Sequence, residues 1–257
     1  MKRLMSVEGA FYPASKDEVL SAFSYFDEVA TKHFKDRIYN ENVKALIVPH
    51  AGYVYSGFTA NLAYKNVLKK PKRVVVIAPS HKVAFDGVSL NDYESYLTPL
   101  GEIKGDSLYV KELKSRFTFT SIRHEEHSSE VQFPFIKHYF EDATLIELVY
   151  SQNAKLDEII EFVLKDENNL VLISTDLSHF YEQKEANRLD SFVIDGVEKL
   201  DIDILTKGEA CGMLGVASMV YVAKKLGLHV KSIDYRTSGD ITKDTSSVVG
   251  YYSAIFY

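Results

Sequence analysis

The chain has 257 residues, 46% of them hydrophobic and 26% charged, with a formal net charge of −6 from 30 basic and 36 acidic side chains. These are the proportions of a globular protein that buries a large core without disulfide staples, and they exclude disordered and collagen-like chains. Net acidity without a long basic stripe argues against nucleic acid as a partner, and no apolar run nears the roughly 20 residues of a membrane span.

No Gly/Ser-rich or Pro-rich linker and no internal repeat divides the sequence, so one domain is expected over residues 1–257. Lys2 and Arg3 are followed by no apolar segment of the secretory type, and the lone Cys211 fits a reducing compartment, so the expected location is cytoplasmic. Lys44 to Pro49 reads as a strand, and Gly57 to Leu68 carries apolar residues at helical intervals. Arg73 to Pro79 is a second strand, apolar on both faces, as strands covered by helices on two sides are. Ser128 to Phe140 reads as a helix with a serine cap and a break at Pro134. Thr144 to Val149 and Leu170 to Ser174 are further buried strands, with a helix over Lys155 to Leu164 between them. Glu182 to Leu200 and Gly212 to Leu226 read as helices, and Ser247 to Phe256 as a closing strand. Such alternation predicts an α/β fold: a central mostly parallel or mixed sheet with helices on its faces.

Three of these strands run directly into a histidine, at His50, His81 and His179. In open α/β sheets ligands bind outside the carboxyl ends of the strands, so these imidazoles are expected to share one crevice. The glycines of Pro49–Gly57 permit a close backbone approach to a ligand there. Ser80 is placed to orient a ring or bond a substrate. A fourth cluster, His124 to Glu130, mixes two imidazoles with three carboxylates. It reads either as a solvated, charged helix entrance capped by Ser128 or as part of the site, with Glu126 orienting an imidazole. Ligating imidazoles usually donate their second N–H to a carboxylate, and Asp176 is a candidate for the same task. Cys211 precedes Gly212 at a predicted helix start. It is either a small buried hydrophobe or, if the helix terminus lowers its pKa, an available thiolate. His33, His138 and His229 are read as structural.

The motifs GAFYPAS (9–15), VPHAGYVYSG (48–57), APSH (78–81), EHSSEVQFPF (126–135), STDLSHF (174–180), ACG (210–212) and SVVGYYSAIF (247–256) together resemble the Memo family. The resemblance runs from residue 9 almost to the C-terminus and is specific in its order. The Memo family is similar in fold to class III extradiol dioxygenases, which use non-haem Fe(II), and the resemblance therefore implies an α/β sandwich with a metal pocket at the strand ends. By position it implies metal ligation by His50, His81 and Cys211, with His127 and His179 as pocket histidines that act as acid or base or support the ligands; the local reading adds Asp176, Glu126 and Ser80 behind them. A thiolate replaces the carboxylate of the usual two-histidine, one-carboxylate set, and it suits copper or zinc as well as iron.

Three functions follow as expectations. The first is a non-haem iron or copper redox enzyme in which His179 or His127 moves a proton. The second is a non-catalytic protein that binds a small-molecule or peptide ligand on a dioxygenase scaffold. The third is a zinc hydrolase in which three protein ligands activate a water.

Overall fold

The structure is a computed structural model that describes residues 1–33 and 42–257. Seven strands pair in the order Val230–Thr237, Val248–Phe256, Ala45–Val48, Asn169–Ser174, Arg73–Pro79, Thr144–Tyr150 and Val88–Leu90. The four from Ala45–Val48 to Thr144–Tyr150 are parallel, and the flanking pairs are antiparallel. A short eighth strand, His179–Tyr181, pairs with Val248–Phe256 off this path. The fold is thus mixed α/β, with the strands that lead to His50, Asp176 and His81 side by side.

The continuous apolar runs have the cause expected of them. Ile47, Val75, Ile77, Val171 and Ile173 face one core, with Ile160 and Val163 of helix Asp157–Leu164 and Val216 and Val220 of helix Met213–Leu226. Leu46, Val48, Val74, Val76 and Leu172 face the other, against Phe23, Tyr64 and Phe135 from helices Lys16–His33, Phe58–Lys65 and Phe133–Tyr139. Neither face of the parallel strands reaches water, so neither carries polar alternation. No helix among the described residues is long and apolar enough to cross a membrane.

The register aligns the strand ends. Val48 lies opposite Ser174, Ile77 opposite Ile173, and Pro79 opposite Tyr150. Residues just beyond these positions therefore emerge at one edge.

Two predicted helices differ in detail. The segment after His50 begins as a π-helical turn, Tyr53–Gly57, before the α-helix Phe58–Lys65. Gly57 is required here: a Cβ would fall 2.7 Å from the Phe26 ring. The predicted helix Ser128–Phe140 is two helices, His127–Glu130 and Phe133–Tyr139, with Pro134 in the first turn of the second, where its missing N–H costs nothing. Helices Lys16–His33 and Ser107–Arg116, the edge strand Val230–Thr237, and a small sheet of Lys2–Arg3, Ser95–Thr98 and Gly101–Lys104 lie outside the elements expected from sequence.

Because Leu172 is fully buried in the middle of the parallel sheet, Leu172→Ala is expected to destabilise the protein by about 2–5 kcal/mol, the range for a large-to-small core truncation. Urea unfolding followed by circular dichroism measures it, and a loss below about 1 kcal/mol would show that this layer is not close-packed.

Candidate metal centre

His50 stands two residues past the end of its strand and is almost wholly buried. Its backbone N–H donates to Asp176 Oδ1 at 2.7 Å, which pins one strand-end loop to the next. Its ring Nδ1 lies 3.1 Å from Ser174 Oγ. That hydroxyl spends its proton on the Ser128 carbonyl at 2.6 Å and already accepts from Gln132 Nε2 at 3.0 Å. The remaining lone pair can only accept, so His50 carries its proton on Nδ1 and Nε2 is an acceptor.

His81 and His127 are fixed by one shared carboxylate. Their Nδ1 atoms lie 3.2 and 3.0 Å from Glu126 Oε1. Glu126 Oε2 accepts the backbone N–H groups of His81 at 2.7 Å and Lys82 at 3.1 Å. Burial works against the Glu126 charge, but the hydrogen bonds from the two imidazoles and two amides outweigh it and hold the carboxyl far below its usual range. An ionised acceptor fixes Nδ1–H in both rings. His50, His81 and His127 converge, each offering a ring nitrogen within 4.8 Å of the others. Their ring centroids are 4.7–5.5 Å apart. The group could hold a metal ion. Burial lowers the His50 pKa well below the ordinary value, and the neighbouring His81 and His127 lower it further, which keeps the ring neutral as a ligand must be.

The other expected site residues fall at varied distances from this trio. Cys211 Sγ lies 3.4 Å from His50 Nε2 and accepts the Asp176 backbone N–H at 3.2 Å. Gly212, just before helix Met213–Leu226, sits against the Thr175 side chain and donates its N–H to Thr175 Oγ1 at 2.9 Å. The thiol is not activated as the helix start alone would suggest. Desolvation and then the Asp176 charge push it up to about 12, more than the N–H donors around the sulfur offset. A bound cation would supply the missing countercharge. His179 donates from Nδ1 to the Leu177 carbonyl at 2.8 Å. It lines a cavity of about 380 Å³ with Cys211, Glu209 and Met213. Asp176 orients no ring: its carboxylate takes the His50 amide, and burial raises its pKa against the hydrogen bonds it receives.

Ser80 turns away from the rings and donates to the Val83 carbonyl at 2.7 Å, closing its own turn. Ser128 is not the helix cap. Glu126 holds that position, and the Ser128 hydroxyl bonds the Pro79 carbonyl at the end of the neighbouring strand. The segment is not a solvated entrance either, since His124, Glu126, Ser128, Ser129 and Glu130 are all buried. His124 and His127 part company: the His124 Nε2 lies 3.9 Å from Glu147, outside the trio. Arg73, which sequence proximity puts near the mouth, opens its strand and binds Asp106 at the opposite end of the sheet.

His127, expected as a pocket histidine beside His50 and His81, joins them in a group that could hold a metal ion, while Ser174 and Gln132 carry no expectation from sequence. The signal for His127 was its place beside Glu126. The signal for the other two was weak, because a serine at a strand end and a glutamine between helices look like ordinary polar surface. Phe11 was also missed; its ring lies against His127 with centroids 4.8 Å apart.

The model of the Memo-like protein family matches residues 3–255. Among curated proteins, a MEMO1 family protein of Methanobrevibacter smithii is 32% identical over the full length of both chains. Those of Archaeoglobus fulgidus and Aquifex aeolicus are 32% and 33% identical, covering 97% and 98% of this chain and 97% of each relative. Among solved structures, an uncharacterised Escherichia coli K12 protein superposes with a TM-score of 0.54 at 14% identity, over 83% of this chain and 99% of that one, a likeness of fold.

Because Glu126 alone receives two of the three imidazole protons, Glu126→Ala should free both rings to rotate. Metal affinity is expected to fall about 10- to 100-fold, as when such outer partners are removed elsewhere. A calorimetric titration with Zn(II) reads it directly, and an unchanged affinity would mean that packing rather than the carboxylate sets the ring positions.

Proposed function

The chain belongs to the Memo family, and on that footing we propose that it is a metal-dependent enzyme acting on a small chelating molecule, with one ion held among His50, His81 and His127. The observation that carries this is the convergence itself: each Nδ1 lies against a fixed oxygen, and the three imidazoles bring a ring nitrogen apiece into one group that could hold an ion. Three neutral imidazoles suit iron, copper and zinc. We assign Fe(II), with copper or zinc as ions that the same donors accept. When bound, such an ion polarises a substrate oxygen and, as iron or copper, exchanges electrons with substrate and O₂.

The chain's own groups then do the rest. Glu126 and Ser174 hold the rings in one tautomer. His179, with Nδ1 committed to a carbonyl, has Nε2 free to take a proton from a substrate hydroxyl and return it. Phe11 keeps water from one face of His127.

A second ligand set, His50, His81 and Cys211, is favoured by one contact. Nitrogen and sulfur bound to one tetrahedral ion at about 2.0–2.1 and 2.3 Å lie roughly 3.6 Å apart, and Cys211 Sγ is 3.4 Å from His50 Nε2. Both sets contain His50 and His81.

Metal analysis of protein produced without a histidine tag, followed by titration of variants under reducing conditions, tests the reading. One equivalent of metal is expected, lost in His50→Ala and in His81→Ala. If His127→Ala loses it and Cys211→Ser keeps it, the three-imidazole set holds; the reverse selects the thiolate set. Iron with substrate-dependent O₂ uptake supports the redox assignment, and zinc with ester or amide turnover replaces it by hydrolysis. A crevice that takes no metal but binds peptide overturns the enzyme reading in favour of a binding protein.

A further inference from the structure

Phe180 is held in a conformation that a phenylalanine does not choose. Its φ is +66°, in the left-handed region. Four non-glycine residues among those described have positive φ, Asn153, Phe180, Leu200 and Lys243, and Phe180 is the one aromatic among them. The cause lies in the pairing of His179–Tyr181 with Val248–Phe256. Tyr181 faces Val248 and His179 faces Val249, so two steps on one strand match one step on the other and Phe180 is the extra residue of a β-bulge. At this position glycine is the ordinary occupant, because any Cβ is strained there.

Among the described residues, no packing around the ring compensates that strain. Phe180 is 78% exposed, and its one ring contact is with the adjacent His179 imidazole, edge-on with centroids 5.6 Å apart. Its neighbours are anchored instead: His179 Nδ1 to the Leu177 carbonyl, and the Tyr181 hydroxyl to Glu209 at 2.9 Å. The bulge is thus fixed on both sides, and the large apolar ring between the anchors is displayed to solvent. Bulges beside active sites re-aim side chains, and strain retained without a packing return is characteristic of residues that serve a ligand.

We propose that Phe180 is a specificity-determining residue, a ready-made apolar contact next to His179, which lines the cavity with Cys211, for the body of the molecule whose polar head sits at the imidazoles. The substrate class this selects is a chelating compound that carries an aromatic or other flat apolar group. The proposal rests on the metal-centre reading above and adds to it the shape of the ligand.

The test sets stability against recognition. Phe180→Asn and Phe180→Gly place residues in the bulge that tolerate its φ. Their melting temperatures are expected to equal that of the wild type or to exceed it by about 2–4 °C, the shift for relief of modest strain in a chain of this size. Zinc content should not change, because Phe180 is no ligand. Zinc-loaded protein is then titrated with two probes that share a chelating head, acetohydroxamate and benzohydroxamate. Affinity for benzohydroxamate should fall about three- to tenfold in both variants, the scale of one aromatic contact, while that for acetohydroxamate stays constant; Phe180→Tyr should retain the wild-type preference. A melting temperature lowered by more than about 4 °C would make the ring structural and overturn the proposal. So would metal-loaded variants with unchanged preference between the probes, and that result leaves the metal centre standing. Wild-type protein that binds neither zinc nor hydroxamate removes the centre and the proposal together.

Discussion

One buried carboxylate governs the site. Glu126 is fully enclosed, where an unpaired charge would be very costly. It is tolerated because donors surround it: two imidazole N–H groups and the amides of His81, Lys82 and His127. The same bonds join the end of strand Arg73–Pro79 to helix His127–Glu130. Charge, ring orientation and the junction of two elements are therefore one problem with one solution, and no donor can be withdrawn without exposing the cost that the others share.

Behind Glu126 lies a second buried ionic layer that fixes the helix from the other side. Arg3 donates to the Glu126 carbonyl at 3.1 Å and pairs with Glu130 at 3.2 Å. Glu130 also accepts from the amides of Ser6 and Val7 and from the Tyr12 hydroxyl. The first dozen residues are thereby clamped to the helix that carries His127. Buried ionic layers of this kind contribute little net stability, since desolvation cancels most of the attraction, but they allow few alternative arrangements.

Much of this was legible in the sequence where burial is uniform. Val74–Ala78 and Leu170–Ile173 are apolar without interruption, because both faces of their strands are covered, and the histidines that follow mark the ligand edge. Val230–Thr237 was not legible, because an edge strand is only partly buried and its Lys231, Asp234 and Arg236 break the pattern. Within the site, residue types were readable but partners were not. Ser80 and Ser174 stand at the ends of core strands, and only the three-dimensional arrangement sends the Ser80 hydroxyl to a local carbonyl while the Ser174 oxygen receives the His50 ring. Cys211 shows the limit of local rules: the helix start favours a thiolate, and the surrounding low-dielectric interior reverses that preference. The bulge at Phe180 has no sequence signature, since the residue found there is one that the backbone disfavours.

The His50–Cys211 contact spans 161 residues of chain, the Ser174 contact to His50 spans 124, and the Glu126 contact to His81 spans 45. Such separations give the centre a high local contact order, so loop-closure entropy must be overcome several times before any two donors meet. Assembling the group therefore depends on long-range contacts rather than local ones. An unfolded chain offers a metal only scattered side chains. A fragment of residues 50–127 would keep all three imidazoles of the group but lose Ser174, the oxygen against His50 Nδ1.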